Sequence, residues 1–218
     1  MPRALFEKTG NAVWMSHLDL MRLLQRAFKR ADLHLKHTQG FNPRPSVSIA
    51  LPMSVGVESV CELLDFDLEG QTVSCDEIRD RLNGALIEGV TVREVYEEGA
   101  KLKHLAFLDC DLTMEYDGGV PEAAASKIDA LLTSSAVVEK RGKNGTSQQD
   151  IVPMIRELCL TESDANTLTL HTRICCQNPT LNPALIVSAI ERYLPECRPD
   201  HVLFRRMEVY DTENNIFR

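Results

Sequence analysis

The chain of 218 residues is 44% hydrophobic and 26% charged, the balance of a soluble globular protein with one large domain or two small ones. It lacks both the run of about 18 apolar residues that spans a bilayer and the apolar segment of a secretory signal, so we expect a cytoplasmic protein with no membrane segment. The net charge of −8 argues against indiscriminate nucleic-acid binding. However, residues 1–46 carry eight Lys and Arg against three Asp and Glu, a local balance of +5 that can attract phosphate.

The first 100 residues predict the element order β-α-β-β-α-β. The stretch ALFEKTGNAVWMSH mixes aromatic and β-branched residues around a Gly-Asn turn and predicts one bent strand or a tight hairpin. Ser16, followed by Asp19 three residues later, is typical of a helix N-cap. The apolar residues that follow recur at helical spacing, at Leu20, Leu24, Ala27, Phe28 and Ala31.

Strands surround a second helix in the remainder of this half. SVSIALPM reads as extended, and CELLDFDLEG alternates inward Leu64 and Phe66 with outward Asp65 and Asp67. Two outward carboxylates on one strand face can bind a cation, but they more commonly belong to a solvated face. DEIRDRLNGAL then predicts an amphipathic helix and GVTVREVYEE a strand.

The second half repeats this order of elements without a clear sequence repeat. The first and last segments, HLAFLDCDLTMEY and DHVLFRRMEVYD, predict strands. Between them, PEAAASKIDALLTSS and NPALIVSAIERYL predict helices, and the residues that separate these helices predict extended segments. The polar stretch RGKNGTSQQ predicts a mobile loop. We therefore predict an α+β protein of two ferredoxin-like βαββαβ sandwiches in tandem, with domains at 1–100 and 101–218.

A long ordered pattern in the first 70 residues resembles a bacterial family, the radical SAM-linked (radical SAM-associated) proteins. The pattern consists of a KTG turn, SHLDLMR, QGFNPRP, LPMSVGVES and CELLDFDL, with a looser likeness in KNGTSQQDIVPMI. The resemblance implies a radical SAM protein as partner, but no activity. By fold-level analogy alone, the βαββαβ order with a positive, glycine-containing bend is also similar to the ferredoxin-like, RNA-binding RAMP proteins that process CRISPR repeats.

Seven cysteines occur in spacings that disfavour metal or cluster binding. The sequence has no CxxC pair and no CxxxCxxC, which argues against a zinc ribbon, a thioredoxin-like site and the iron–sulfur signature of radical SAM enzymes. Most of the cysteines lie in apolar runs such as VCELL, ELCLT and RICC, so we expect buried structural thiols. His34 and His37 also lack a metal-site spacing, and we predict no metal and no cofactor.

His17 begins the predicted helix and is the candidate for chemistry. A helix N-terminus favours an anion, so His17 could hold a phosphate or act as a general base towards an RNA hydroxyl. Alternatively, Ser16 and Asp19 only cap the helix while His17 packs against the first strand.

Six cations could form a phosphate-binding surface in this region. Helical spacing aligns the first four of them along one side of the helix. They are Arg22, Arg26, Lys29, Arg30, Lys36 and Arg44. The alternative is a solvated helix face, the usual setting of charge runs.

The segment QGFNPRP, residues 39–45, forms what we call the elbow. Gly40 permits a positive φ, and the two prolines fix the backbone on both sides of Arg44, which leaves its guanidinium preorganised for a phosphate or carboxylate. Phe41 could stack on a base, and Asn42 or Gln39 could contact the ligand. The alternative is a rigid strand entry with Phe41 in the core and Asn42 closing an Asx-turn.

We expect the helix and the elbow to share one exposed electropositive cleft. The leading interpretation is a non-catalytic or weakly catalytic accessory module that holds RNA or a phosphate-bearing substrate for a radical SAM partner. The alternatives are an RNA-processing hydrolase that uses His17 with Arg44 as electrophile, and a pure protein–protein adaptor.

Overall fold

The computed structural model describes residues 1–70, 72–142 and 145–218. It divides into two compact units: unit 1 comprises Met1–His104 with Ile216–Arg218, and unit 2 comprises Leu105–Asn215. The α+β class is confirmed, since helices and antiparallel sheet occur in both units. None of the helices in the described residues is long or apolar enough to cross a membrane.

Unit 1 is a four-stranded antiparallel sheet that buries an apolar core with two helices. Within the unit the strand order is β4-β1-β3-β2. The elements are β1 (Arg3–Lys8), α1 (His17–Arg30), β2 (Val47–Ile49), β3 (Val57–Phe66), α2 (Cys75–Ala85) and β4 (Val90–Tyr96).

Unit 2 has the corresponding strand order, β10-β5-β9-β8, with every pair antiparallel. A separate hairpin of two strands, β6 and β7, is inserted after its first helix. The elements are β5 (Leu105–Glu115), α3 (Ala124–Ser134), β6 (Val137–Gly142), β7 (Gly145–Asp150), β8 (Ile155–Asp164), β9 (Thr167–Cys175), α4 (Ala184–Tyr193) and β10 (His201–Asp211). These orders suit βαββαβ sandwiches; the tandem ferredoxin-like arrangement with boundaries at 1–100 and 101–218 stays our interpretation.

Two local predictions were wrong. The segment after β1 is a 3-10 turn over Gly10–Trp14, not a hairpin strand, because the Lys8 ammonium donates hydrogen bonds to the carbonyls of Val13 and Met15, both at 3.0 Å. The stretch RGKNGTSQQ is largely a hairpin, since residues 145–149 lie in β7, while 143 and 144 lie outside the described residues.

Two predictions of side-chain burial were also wrong, one made from alternation and one from an apolar run. Asp65 is buried, because Arg3 forms a bidentate ion pair with it at 2.6 and 3.0 Å and Phe217 covers the guanidinium. Cys159 is exposed, because it lies on the outer face of β8 at the end of the unit 2 strand order. The prediction of buried thiols is confirmed for five others, Cys61, Cys110, Cys175, Cys176 and Cys197.

Candidate functional site

Helix α1 begins at the predicted cap. The Ser16 hydroxyl accepts a hydrogen bond from the backbone N–H of Asp19 at 3.2 Å and donates one to the Asp19 carboxylate at 2.7 Å. Leu20, Leu24 and Phe28 are fully buried, so the apolar side of the helix is fixed in the core of unit 1. The opposite side, which carries the cations, is consequently held towards solvent.

Three arginines of α1 line a groove of about 640 Å³, which we call the arginine groove. Arg22, Arg26 and Arg30 are spaced four residues apart, so they lie on one side of the helix with a separation of roughly 6 Å along its axis. The other wall contains Ala85, the last residue of α2, and Ile87, which follows the helix. The remaining lining residues are Met15, Asp19 and Leu23.

The three guanidinium groups differ in how far they are already engaged. Arg22 forms an exposed ion pair with Asp19 at 3.0 Å, and Arg30 donates to the Ala85 carbonyl at 2.5 Å. Among the described residues, Arg26 has no ion-pair partner. The Ser16 hydroxyl, together with Arg22, lowers the pKa of Asp19, which therefore stays ionised in the groove. One carboxylate against three guanidinium groups leaves the groove positive.

A second depression of about 500 Å³, the side hollow, lies on the neighbouring side of α1. Its apolar lining includes Phe28 and Leu33, and its polar lining includes Lys29, His34 and His37. The other lining residues are Gln25, Leu35, Pro45 and Glu69. An apolar hollow with a few polar groups is typical of a site for a flat ligand such as a base.

The elbow is a loop whose two ends are joined by hydrogen bonds. The Thr38 N–H donates to the Arg44 carbonyl at 2.8 Å, and the Arg44 N–H donates back to the Thr38 hydroxyl at 3.0 Å. Beyond this pair, the Ser46 N–H donates to the Lys36 carbonyl at 2.7 Å. Gly40 has a φ of 140°, a conformation that favours glycine. The backbone of the elbow is therefore restrained before any ligand binds.

Every polar and aromatic side chain of the elbow is presented to solvent. Phe41 is fully exposed, with a relative exposure of 109%, so it does not belong to the core. In the described part of the chain, the Asn42 side chain makes no hydrogen bond, and the Thr38 hydroxyl occupies the role we considered for an Asx-turn. Gln39 and Arg44 are exposed as well. The strand-entry alternative therefore does not describe Phe41 or Asn42.

His17 is the first residue of α1 and is half-buried. Its Nδ1 atom is buried without a hydrogen-bond partner among the described residues. The lining of the arginine groove does not include His17, and no contact in the described residues joins it to Arg44.

The predicted residues thus divide between two depressions and the elbow. Arg22, Arg26 and Arg30 lie together in the arginine groove, whereas Lys29 lies in the side hollow with Pro45 of the elbow. Lys36, Gln39, Gly40, Phe41, Asn42 and Arg44 are exposed and line neither depression. A binding role for each of these residues stays a prediction.

Sequence reasoning missed the walls of both depressions. Ala85 and Ile87 carry no sign of ligand binding in the sequence, and Gln25 and Glu69 read as ordinary surface residues. Gln25 and Lys29 are four residues apart on α1, so helical spacing places them on one side of the helix. Within the described ranges, no three His, Cys, Asp or Glu side chains converge on a position for a metal ion.

Residues 2–183 match the model of a family described as an uncharacterized protein conserved in bacteria (DUF2344), and the chain belongs to this family. No curated protein matches the sequence.

Among solved structures, the chain is similar to one chain in the crystal structure of a Cbf5–Nop10–Gar1 complex, with 12% identity and a TM-score of 0.51 over 95% of this chain and 48% of that one. It is also similar to a chain of the archaeal box H/ACA sRNP Nop10–Cbf5 complex, with 12% identity and a TM-score of 0.46 over 94% and 46%. The chain therefore spans about half the length of these relatives. At this identity the first likeness concerns the fold alone, and we base no argument on the second.

Proposed function

We propose that unit 1 is a binding module that holds RNA, with the arginine groove on the phosphates and the elbow and side hollow on the bases. The observation that carries this proposal is the alignment of Arg22, Arg26 and Arg30 in one groove that contains a single carboxylate. In a chain with a net charge of −8, such a surface stands out against its surroundings. A polyanion is the ligand whose charge matches this pattern.

The linear spacing of the arginines favours a strand over a single phosphate. One phosphate would be gripped by converging cations, whereas successive cations along a helix can each meet a different phosphate of a chain. The preorganised elbow adds an exposed aromatic ring, and bases of single-stranded RNA stack on such rings. The side hollow, with its apolar floor and the polar groups of Lys29, His34 and His37, suits an unstacked base.

The resemblance to radical SAM-linked proteins supplies the proposed partner. In this proposal unit 1 delivers RNA to a radical SAM protein in the bacterial cytoplasm. The partner is the part of the proposal that rests on sequence resemblance, whereas the RNA-binding surface rests on geometry.

The test is a comparison of two double charge reversals. Arg22→Glu with Arg26→Glu reverses two of the three positive charges in the groove. The control, Lys127→Glu with Arg198→Glu, changes the net charge equally in unit 2, where both cations are exposed and ion-paired. We expect the groove variant to bind a labelled single-stranded RNA at least about tenfold more weakly in fluorescence anisotropy, and the control less than about twofold. Melting temperatures should stay unchanged, because all four residues are outside the core. Equal losses would mean that net charge alone drives binding, and no RNA binding by the native chain would refute the proposal.

A second function, protein–protein adaptor, is favoured by one observation. Trp14, the last residue of the 3-10 turn, and Leu18, the second residue of α1, are 71% and 65% exposed, which is unusual for large apolar side chains. An adaptor would retain a radical SAM protein in co-purification after nuclease treatment and lose it in the variant Trp14→Ser with Leu18→Ser. Loss after nuclease instead favours the RNA-holding function.

The hydrolase alternative has less support. His17 makes no contact with Arg44 among the described residues. They therefore do not form the acid–base and electrophile pair that a hydrolase would need. Cleavage of a structured RNA that disappears in His17→Ala would reverse this preference.

A further inference from the structure

A row of three side chains crosses the exposed face of the unit 2 sheet. In the strand register, Cys159 of β8 lies opposite His171 of β9, and His171 lies opposite Asp111 of β5. Opposite residues of antiparallel strands point to the same face, with Cβ atoms about 5 Å apart. All three side chains line one depression of about 340 Å³. A thiol, an imidazole and a carboxylate therefore follow one another across three neighbouring strands.

The hydrogen bond between His171 and Asp111 fixes the imidazole for acid–base work. The His171 Nδ1 atom lies 2.7 Å from the Asp111 carboxylate. Because an ionised carboxylate only accepts, Nδ1 carries the proton and the basic lone pair of the neutral ring is on Nε2. Nε2 is on the side of the ring away from Asp111, and the strand on that side is β8, which carries Cys159.

A second ion-paired cluster stabilises the same face beside this row. Arg173 forms a bidentate pair with Asp109 at 2.7 and 2.9 Å, contacts Glu157 at 3.4 Å and covers the ring of Tyr210 at 3.8 Å. The charged groups near His171 from each packed strand are Asp109, Asp111, Glu157, Arg173 and Arg205, the last paired in register with Asp111. Three carboxylates and two guanidinium groups nearly balance one another around the imidazole.

Cys159 differs from the other six thiols in its access to solvent. Five of the seven cysteines are buried, and Cys75 on α2 is half-buried. Burial, with Glu97 and Asp76 nearby, raises the pKa of the Cys75 thiol and keeps it protonated. Cys159 is exposed and lies opposite His171 in the strand register, whereas Cys75 has no such neighbour in register and serves as the comparison thiol.

We propose that Cys159 is a nucleophilic thiol, activated by His171 and Asp111, that takes low-molecular-weight disulfides by thiol–disulfide exchange. His171 Nε2 removes the proton from the thiol, and the thiolate attacks one sulfur of the disulfide. The new Cys159–S–S–R bond forms as the old S–S bond breaks, and the leaving thiolate takes the proton back from the imidazolium. One disulfide and one thiol are consumed and one of each is produced, so no other oxidant is needed.

An open, shallow depression suits this reaction better than acyl transfer. Acyl transfer develops charge on a single oxygen and needs fixed donors around it. In disulfide exchange the charge is spread over sulfur atoms, and the rate depends on the thiolate and on access. The site belongs to unit 2 and does not depend on RNA binding by unit 1.

The experiment measures how fast each cysteine reacts with a neutral dipyridyl disulfide, followed by peptide mass spectrometry. At about pH 6.5, where an ordinary thiol with a pKa of about 8.5 is mostly protonated, we expect Cys159 to react about tenfold faster than Cys75 and than Cys159 in the urea-unfolded chain. His171→Asn should reduce the Cys159 rate to that of the unfolded chain and move its rate–pH profile to that of an ordinary thiol.

Three controls decide the outcome. His201→Asn replaces another exposed histidine of the same sheet and should leave the Cys159 rate unchanged. The buried cysteines report folding, because they would react faster if His171→Asn loosened unit 2. In that case Asp111→Asn, which retains the imidazole and removes only the orienting charge, should show the same loss of rate. A Cys159 rate equal to that of the unfolded chain, or one that neither variant lowers, would overturn the proposal.

Discussion

Neutralising Arg26 offers the cleanest measurement of the arginine groove. Arg22 is paired with Asp19 and Arg30 with the Ala85 carbonyl, so removing either one leaves a partner behind. Arg26 has no such partner among the described residues, and its loss reports only its contact with the ligand. Arg26→Gln retains an unbranched polar side chain of similar helix propensity, so α1 should be unaffected.

The magnitude follows from the number of cations in the groove. Each phosphate contact on a single strand contributes about −0.7 to the slope of log K against log salt, so three arginines predict a slope of about −2.1. Arg26→Gln should reduce its magnitude by about 0.7, to about −1.4. An exposed ion contact of about 1 kcal/mol also predicts about a fivefold loss of affinity at low salt.

Fluorescence anisotropy with a labelled single-stranded RNA at several salt concentrations gives both numbers. Arg198→Gln is the control, because Arg198 is an exposed, ion-paired arginine of unit 2. A slope that Arg26→Gln does not change, or that Arg198→Gln changes by the same amount, would refute the assignment of phosphates to the groove.

Three further predictions concern unit 1. Asp65→Asn should lower the free energy of unfolding in urea by about 3–5 kcal/mol, because Arg3, only 2% exposed, would stay charged without its carboxylate; a loss below about 1 kcal/mol would contradict the importance of this pair. Phe41→Ala should leave the melting temperature unchanged and weaken single-stranded RNA binding by about 1–3 kcal/mol, whereas unchanged affinity would exclude stacking on the elbow. Ser16→Ala should lower stability by about 1 kcal/mol through the lost cap without changing the RNA salt slope, which separates helix stability from binding.

Helix α1 could be predicted because its determinants are local. The cap at Ser16 and Asp19 and the apolar spacing of Leu20, Leu24 and Phe28 lie within one short segment, and the structure confirms them. The turn after β1 could not be predicted, since it depends on a buried lysine that bonds to carbonyls five and seven residues away. The β6–β7 hairpin was hidden by polar residues that are common in loops.

Strand alternation correctly predicted which residues share a face of a strand. It did not predict whether another part of the chain packs against that face. Alternation placed Asp65 on the solvated face and an apolar run placed Cys159 in the core, and both predictions were wrong. The partner of Asp65 is Arg3, 62 residues away, and such a contact leaves no periodic signal in either segment. Cys159 lies in the apolar run ELCLT. Because β8 is at the end of the strand order, the outer face of β8, which carries Cys159, is nevertheless exposed.

The candidate site was predictable in part for the same reason. Helical spacing aligned Arg22, Arg26 and Arg30, and the structure brings these three together in one groove. The single cleft that we expected with Arg44 is not what the structure has, because Lys29 and Pro45 line the side hollow and Arg44 lines neither depression. The wall formed by Ala85 and Ile87 comes from a segment about two-fifths of the way along the chain and only folding brings it to the helix.

The elbow combines two features that stability alone does not explain. Hydrogen bonds between Thr38 and Arg44 join the two ends of the loop, so the loop has little freedom to move Phe41 towards the core. Burying a phenylalanine stabilises a fold by about 1.5–3 kcal/mol, and this loop forgoes that gain while its backbone is held rigid. A flexible loop would expose an aromatic ring at random, whereas a restrained one presents it in a single place. In our proposal a ligand with flat rings completes the contacts of this restrained, solvent-facing ring, and its negative charge meets the basic residues of unit 1.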